Sequence, residues 1–248
     1  MASALSLQTI RAVRFLPKLR ALKYQIYCDA SVDSSRPGGK GGIAVVHSLY
    51  RPGAPENRQQ VGYAFPVDMT MGSTAAEGLA VLQAFKHAES ELAFVSNLRD
   101  PSARPRKVSF KIFTDSKSIV DGLITTGTTS GSVLRKPSLT NNLITTILTA
   151  QKQLEETGAK MNMTVSSAVL YVPGHSGAYL NELANQLSVR TRKTGKPLYQ
   201  VSGTVLEKSP SHHNNVFHAA RSQFLAAAKS TVIPPSQSPV TKPKESTQ

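Results

Sequence analysis

The chain has 248 residues, 40% of them hydrophobic and 6% aromatic with no Trp, enough for one substantial and mainly aliphatic core. Cys28 is its one cysteine, which excludes an internal disulfide and a cysteine-based zinc site and makes an intracellular setting the expectation. No apolar run approaches the roughly 18 residues a membrane helix needs, so no span is predicted. The net charge of +14 is lopsided: residues 1–28 hold five Lys or Arg and no acid, residues 29–189 fifteen against thirteen, and residues 190–248 nine against two. Cationic ends around a near-neutral middle suit a polyanion, whose counterions they displace; two solvated basic tails are the alternative.

The opening "MASALSLQTIRAVRFLPKLRALK" sets Arg11, Arg14 and Lys18 on one helical face and Leu7, Ile10 and Val13 on another. An Arg-rich, acid-free, amphipathic start is transit-like and points to a mitochondrion. A basic arm on a nuclear protein fits equally, because Pro17 interrupts any long helix. From Tyr24 the pattern changes: "YQIYCDAS", "IAVVHSLY" and "RQQVGYAFPV" predict three strands in a meander, with "RPGGKGG" as a hairpin turn. "STAAEGLAVLQAFKHAESEL" predicts a helix capped by Ser73 or Thr74. A polar loop over 97–107 leads to the strand "VSFKIFTD" and the helix "SKSIVDGLI". A longer helix over 138–158 is predicted to end near Gly158, followed by a strand, "MTVSSAVLYV", and a last helix, "YLNELANQLSVRTR". Three antiparallel strands and then helix, strand, two helices, strand, helix make a mixed α/β sheet. Beyond Lys196 the expectation is a basic, partly disordered tail with one possible helix over 214–230.

Asp29 and Asp115 each fall at the C-terminal end of a predicted strand, the edge where open α/β sheets carry their sites. Either alone reads as a turn or helix cap. Glu77 differs, being a single acid among Ala75, Ala76, Gly78, Leu79 and Ala80, with no base nearer than Lys86. An unpaired buried carboxylate costs several kcal/mol, so it calls for a cation. Three hard oxygen ligands suit Mg²⁺, with Mn²⁺ as a substitute, and such a site activates water against a phosphodiester.

With these motifs in place, residues 24–192 resemble the type 1 ribonuclease H family. The resemblance rests on "YCDAS" with "GGIAVV", "GSTAAEGLAVLQAF", "FTDSKSIVDGL" and "VPGHSGAYLNELANQL", in that order. It implies a five-stranded mixed sheet flanked by helices, with a basic arm over 1–23 and a basic tail over 193–248. It also implies a two-magnesium endonuclease acting on the RNA strand of RNA–DNA hybrids. Position by position, it implies Asp29, Glu77 and Asp115 as metal ligands and His175 as the loop histidine that assists proton transfer or product release. Ser73 and Thr74 would touch the hybrid's minor groove, where the 2′-hydroxyls lie, and Lys117 would add a further nucleic-acid contact. The family's Trp features are absent, and only the basic arm precedes strand one where a hybrid-binding domain often stands.

Ten residues after His175, where the family has its fourth carboxylate, stands Asn185. An amide oxygen ligates magnesium without bringing charge, which predicts a weaker second ion. Glu182, one helical turn earlier, is a candidate substitute. Asn185 otherwise reads as a plain polar residue beside Asn181 and Ser188, off the stripe of Leu180, Leu183 and Leu187. Two alternatives to a working nuclease follow: a hybrid- or RNA-binding module without useful turnover, and a ribonuclease H domain of retroelement origin. No protein partner is inferable. "PGGKGG" lacks the spacing of a phosphate loop, and His212, His213 and His218 read as polar tail.

Overall fold

The computed structural model describes residues 21–33, 39–49, 60–68, 72–97, 104–128, 139–201 and 204–206. Most of the basic arm, the possible helix over 214–230 and the tail histidines lie outside them. In chain order the elements are β1 (Ala21–Val32), β2 (Lys40–Leu49), β3 (Gln60–Asp68), α1 (Gly72–Ser96), β4 (Lys107–Thr114) and α2 (Lys117–Thr128). Then come α3 (Leu139–Lys160), β5 (Thr164–Tyr171), α4 (Tyr179–Thr194), β6 (Leu198–Val201) and β7 (Thr204–Leu206). They form one mixed sheet in the order β5-β4-β1-β2-β3-β6-β7. The antiparallel β1–β2–β3 meander and the parallel β1–β4–β5 unit are those that the sequence predicts. The sheet continues beyond the expected five strands, because β6 pairs antiparallel with β3, and β7 with β6.

The strands form because apolar residues alternate. Leu22, Tyr24 and Ile26 of β1 and Val108, Phe110 and Ile112 of β4 point to one face, with Tyr24 stacked on Phe110 at 4.9 Å between ring centres. Over that face α1 lies on β1 and β2, with α3 packed against α1 and β5 and α2 against α3. A parallel pair needs a long crossover, which α2 and α3 supply between β4 and β5. Three differences from the predicted boundaries have local causes. Helix α1 starts at Gly72, so Ser73 and Thr74 occupy its first turn and are not the cap. Helix α3 runs through Gly158 to Lys160: Gly158 keeps a negative φ and marks a close approach, since any Cβ there would strike the Val165 side chain. Helix α4 runs two residues further than predicted and ends at Gly195, whose left-handed φ of 66° lets its N–H reach the Thr191 carbonyl at 2.8 Å.

Among the described residues, the other face carries α4 alone, packed across β1, β2 and β3. Its buried row is Asn181, Leu183, Ala184, Leu187, Ser188 and Thr191. Small residues dominate because the helix comes close to the sheet: a Cβ on Gly42 of β2 would run into the Ser188 carbonyl and lie 2.8 Å from the Arg192 amide nitrogen.

Candidate active site

Chain direction reverses across the sheet at β1. The meander runs to one side of it and β4 and β5 to the other, so a crevice opens at the C-terminal ends of β1 and β4. The parallel register pairs Tyr27 with Phe113, whose rings stack at 4.6 Å. Asp29 lies two residues further along β1 and Asp115 directly follows the last residue of β4, so the register brings both to the same edge. Glu77 arrives from α1, on the face opposite those rings. Ligand oxygens of Asp29, Glu77 and Asp115 all lie within 4.8 Å of one another.

These carboxylates sit in an environment hostile to their charge. Asp29 is 4% exposed, and burial pushes its pKa up to about 7, with Asp115 adding repulsion. Ser188 opposes that shift by donating its hydroxyl proton to Asp29 Oδ2 at 2.6 Å, and the Ala30 amide helps. Glu77 is pushed to about 9, first by burial and then by the charges of Asp29 and Asp115. Its Oε2 is buried with no hydrogen-bond partner among the described residues. Lys86, the nearest base in sequence, is engaged with Glu89 at 3.0 Å. Asp115 is raised by burial and by Glu182, and His175 opposes the shift. The same three acids, after burial itself, hold the Cys28 thiol well above its ordinary range; that side chain is fully buried, with Sγ 3.5 Å from the Phe113 carbonyl.

An unbonded buried carboxylate oxygen beside two further carboxylates is a donor set for a hard divalent cation, and the residues present fit Mg²⁺ or Mn²⁺. Asp115 does not serve as a helix cap, since the turn into α2 is closed by main-chain and Thr114 bonds. Gly174 is pressed against Asp115, a Cβ there falling 2.9 Å from Oδ2. His175 follows in a left-handed conformation (φ 54°) with its side chain 82% exposed and Nδ1 3.6 Å from Glu182 Oε2. Glu182 therefore faces the loop histidine and stands outside the group of three.

Asn185 is half-buried on α4, and its carbonyl lies 2.9 Å from Ser188 Oγ. It lines a groove with Gln186, Val189, Arg190, Lys193 and Thr194. Ser73 and Lys117 are exposed, and Thr74 is partly so, at the starts of α1 and α2, close in sequence to Glu77 and Asp115. Sequence reasoning missed Ser188, named there only as a neighbour of Asn185, although it bonds Asp29 across 159 positions. The spacing of Asn181, Ala184, Ser188 and Thr191 along one helical face was the available signal.

No protein-family model matches the chain, and no curated protein matches it. Similar solved structures include LC9-RNase H1, a type 1 RNase H with the type 2 active-site motif. It is 18% identical, with 85% of this chain and 87% of that one covered and a TM-score of 0.47. The N-terminal RNase H domain of rv2228c from Mycobacterium tuberculosis is 13% identical, covering 70% and 99% with a TM-score of 0.40. RNase H1 from the halophilic archaeon Halobacterium salinarum is 15% identical, covering 69% and 98% with a TM-score of 0.38.

Proposed function

We propose that the chain is a divalent-metal-dependent endonuclease that cuts the RNA strand of RNA–DNA hybrids. The observation that carries this reading is the meeting of Asp29, Glu77 and Asp115, with a Glu77 oxygen buried and unbonded. Asp29, Glu77 and Asp115 would hold magnesium, which when bound would supply a nucleophilic water and neutralise charge building on the phosphate. Ser188 fixes the Asp29 carboxylate and favours its charged form. His175, exposed on its loop beside Glu182, is the group to carry protons to and from solvent. Arg190 and Lys193 in the groove beside Asn185 meet phosphates of the bound strand, while Ser73, Thr74 and Lys117 flank the acids on the other helices.

Asn185 favours a second reading, a module that binds the hybrid without useful turnover, because an amide in place of a carboxylate lowers affinity for a second ion. Labelled RNA–DNA hybrid with Mg²⁺ or Mn²⁺ separates the two. Cleavage by the wild type and none by Asp29→Asn supports the nuclease, and a large gain in Asn185→Asp shows an enzyme running below its capacity. Tight hybrid binding with no cleavage in any variant selects the module. Equal cleavage by wild type and Asp29→Asn rules out the nuclease reading.

A further inference from the structure

We propose that His47, His87 and Glu91 form a separate metal site, buried between β2 and α1 and suited to Zn²⁺. Among the described residues this is the one other group of metal-type donors: a ligand atom from each lies within 4.8 Å of the other two. His87 and Glu91 are one helical turn apart on α1, and His87 Nε2 stands 3.7 Å from Glu91 Oε1. His47 comes from β2, its ring stacked on that of His87 at 4.4 Å. His47 is 7% exposed and His87 1%, so both imidazoles lie inside the core.

The donor types distinguish this site from the carboxylate cluster. Two imidazoles and one carboxylate form a borderline set that zinc takes with bonds of about 2.0–2.2 Å, whereas three carboxylates suit magnesium. Around a tetrahedral ion, with water as the fourth ligand, such bonds bring donor atoms to about 3.3–3.5 Å of each other, so His87 and Glu91, at 3.7 Å, are nearly in place. The wider gaps, up to 4.8 Å, would close by rotation of the His47 ring and the Glu91 carboxylate. The surroundings are those of a supported site. The Tyr24 hydroxyl hydrogen-bonds Glu91, which orients the carboxylate, and the Tyr63 ring packs edge-on against His87 at 5.1 Å. Glu77 precedes His87 by ten residues on the same helix, about 15 Å by helical rise, so one ion does not serve both sites. Zinc here would pin the second half of α1 to the middle of the sheet.

The test uses the full chain carrying Asp29→Asn and Asp115→Asn, so that the carboxylate cluster does not compete, stripped with chelator and titrated with Zn²⁺ and then Co²⁺. Expected are one equivalent of zinc bound, a visible cobalt spectrum of a tetrahedral ion with nitrogen ligands, and a melting temperature raised by zinc. Glu91→Gln retains an acceptor for Tyr24, so it should fold; it and His87→Gln should each weaken zinc binding at least about tenfold and abolish the melting shift. Zinc uptake unchanged in the folded Glu91→Gln variant would assign the ion to other residues, such as the tail histidines, and overturn the site. So would the absence of stoichiometric zinc in the parent.

Discussion

Among the described residues, one face of the sheet carries three helices over a continuous apolar core; the other carries α4 alone, over a smaller group made of Ala44, Val46, Ala64, Leu183, Ala184, Leu187 and Leu198. The thick face holds the large side chains, Tyr24, Phe85, Phe110 and Leu92 among them, whose burial supplies most of the apolar stabilisation. The thin face is built from small residues that bring a polar hydroxyl, Ser188, within 2.6 Å of Asp29. Substitutions on the first should therefore register in stability, and those on the second in the geometry of the acids.

The largest effect is expected where the two faces meet, at Glu77. Glu77→Gln removes one carboxylate of the proposed metal site and should slow the proposed Mg²⁺-dependent hybrid cleavage by about a thousandfold, equivalent to about 4 kcal/mol of barrier. The same change should raise the metal-free melting temperature at pH 8, because it removes a carboxyl that ionises readily only in the unfolded chain. A loss of both activity and stability would break the comparison. On the thick face, Phe110→Ala should cost about 3–5 kcal/mol in denaturant melts while the protein still folded at low temperature keeps its cleavage rate.

Acidity offers a reading that needs no substitution. Asp29 and Glu77 are raised from 3.8 to about 7 and from 4.5 to about 9, so between those limits the folded state holds protons that the unfolded chain has released. Metal-free stability is then full below pH 4 as far as these two groups are concerned. It falls as pH rises through about 7 and 9, by several kcal/mol in all. Millimolar Mn²⁺ should restore most of it at pH 8, and a metal-free melting curve indifferent to pH over this span would contradict the burial of the acids.

Gly42→Ala sharpens the contrast between the faces. It forces α4 off the sheet at a cost of about 1–3 kcal/mol, and cleavage should fall further than the loss of folded protein accounts for. Smallest is Ser188→Ala, costing about 1 kcal/mol in stability. With the Ser188 proton gone, Asp29 should ionise at higher pH, and the cleavage–pH profile should move in the same direction.

Much of this was legible in the amino-acid order. Alternation of Leu22, Tyr24 and Ile26 declares a strand, and an acid isolated among alanines marks Glu77, which meets Asp29 and Asp115, because both signals are local. What escaped was set by pairing across the chain. The register that seats Asp29 beside Asp115 comes from β1 against β4, and the Asp29–Ser188 bond spans 159 positions. Strands β6 and β7 were missed because four and three residues show no periodicity. His47, His87 and Glu91 were passed over since i, i+4 spacing on α1 covers only two of them, and β2 supplies the third.

Cys28 turns its seclusion into a built-in gauge. The thiol has no exposed surface, and burial together with the three neighbouring acids suppresses its thiolate form. Alkylating reagents should leave it untouched until β1 parts from its neighbours. As no second cysteine exists to confuse the signal, the speed of labelling clocks how often the strand bearing Asp29 breathes.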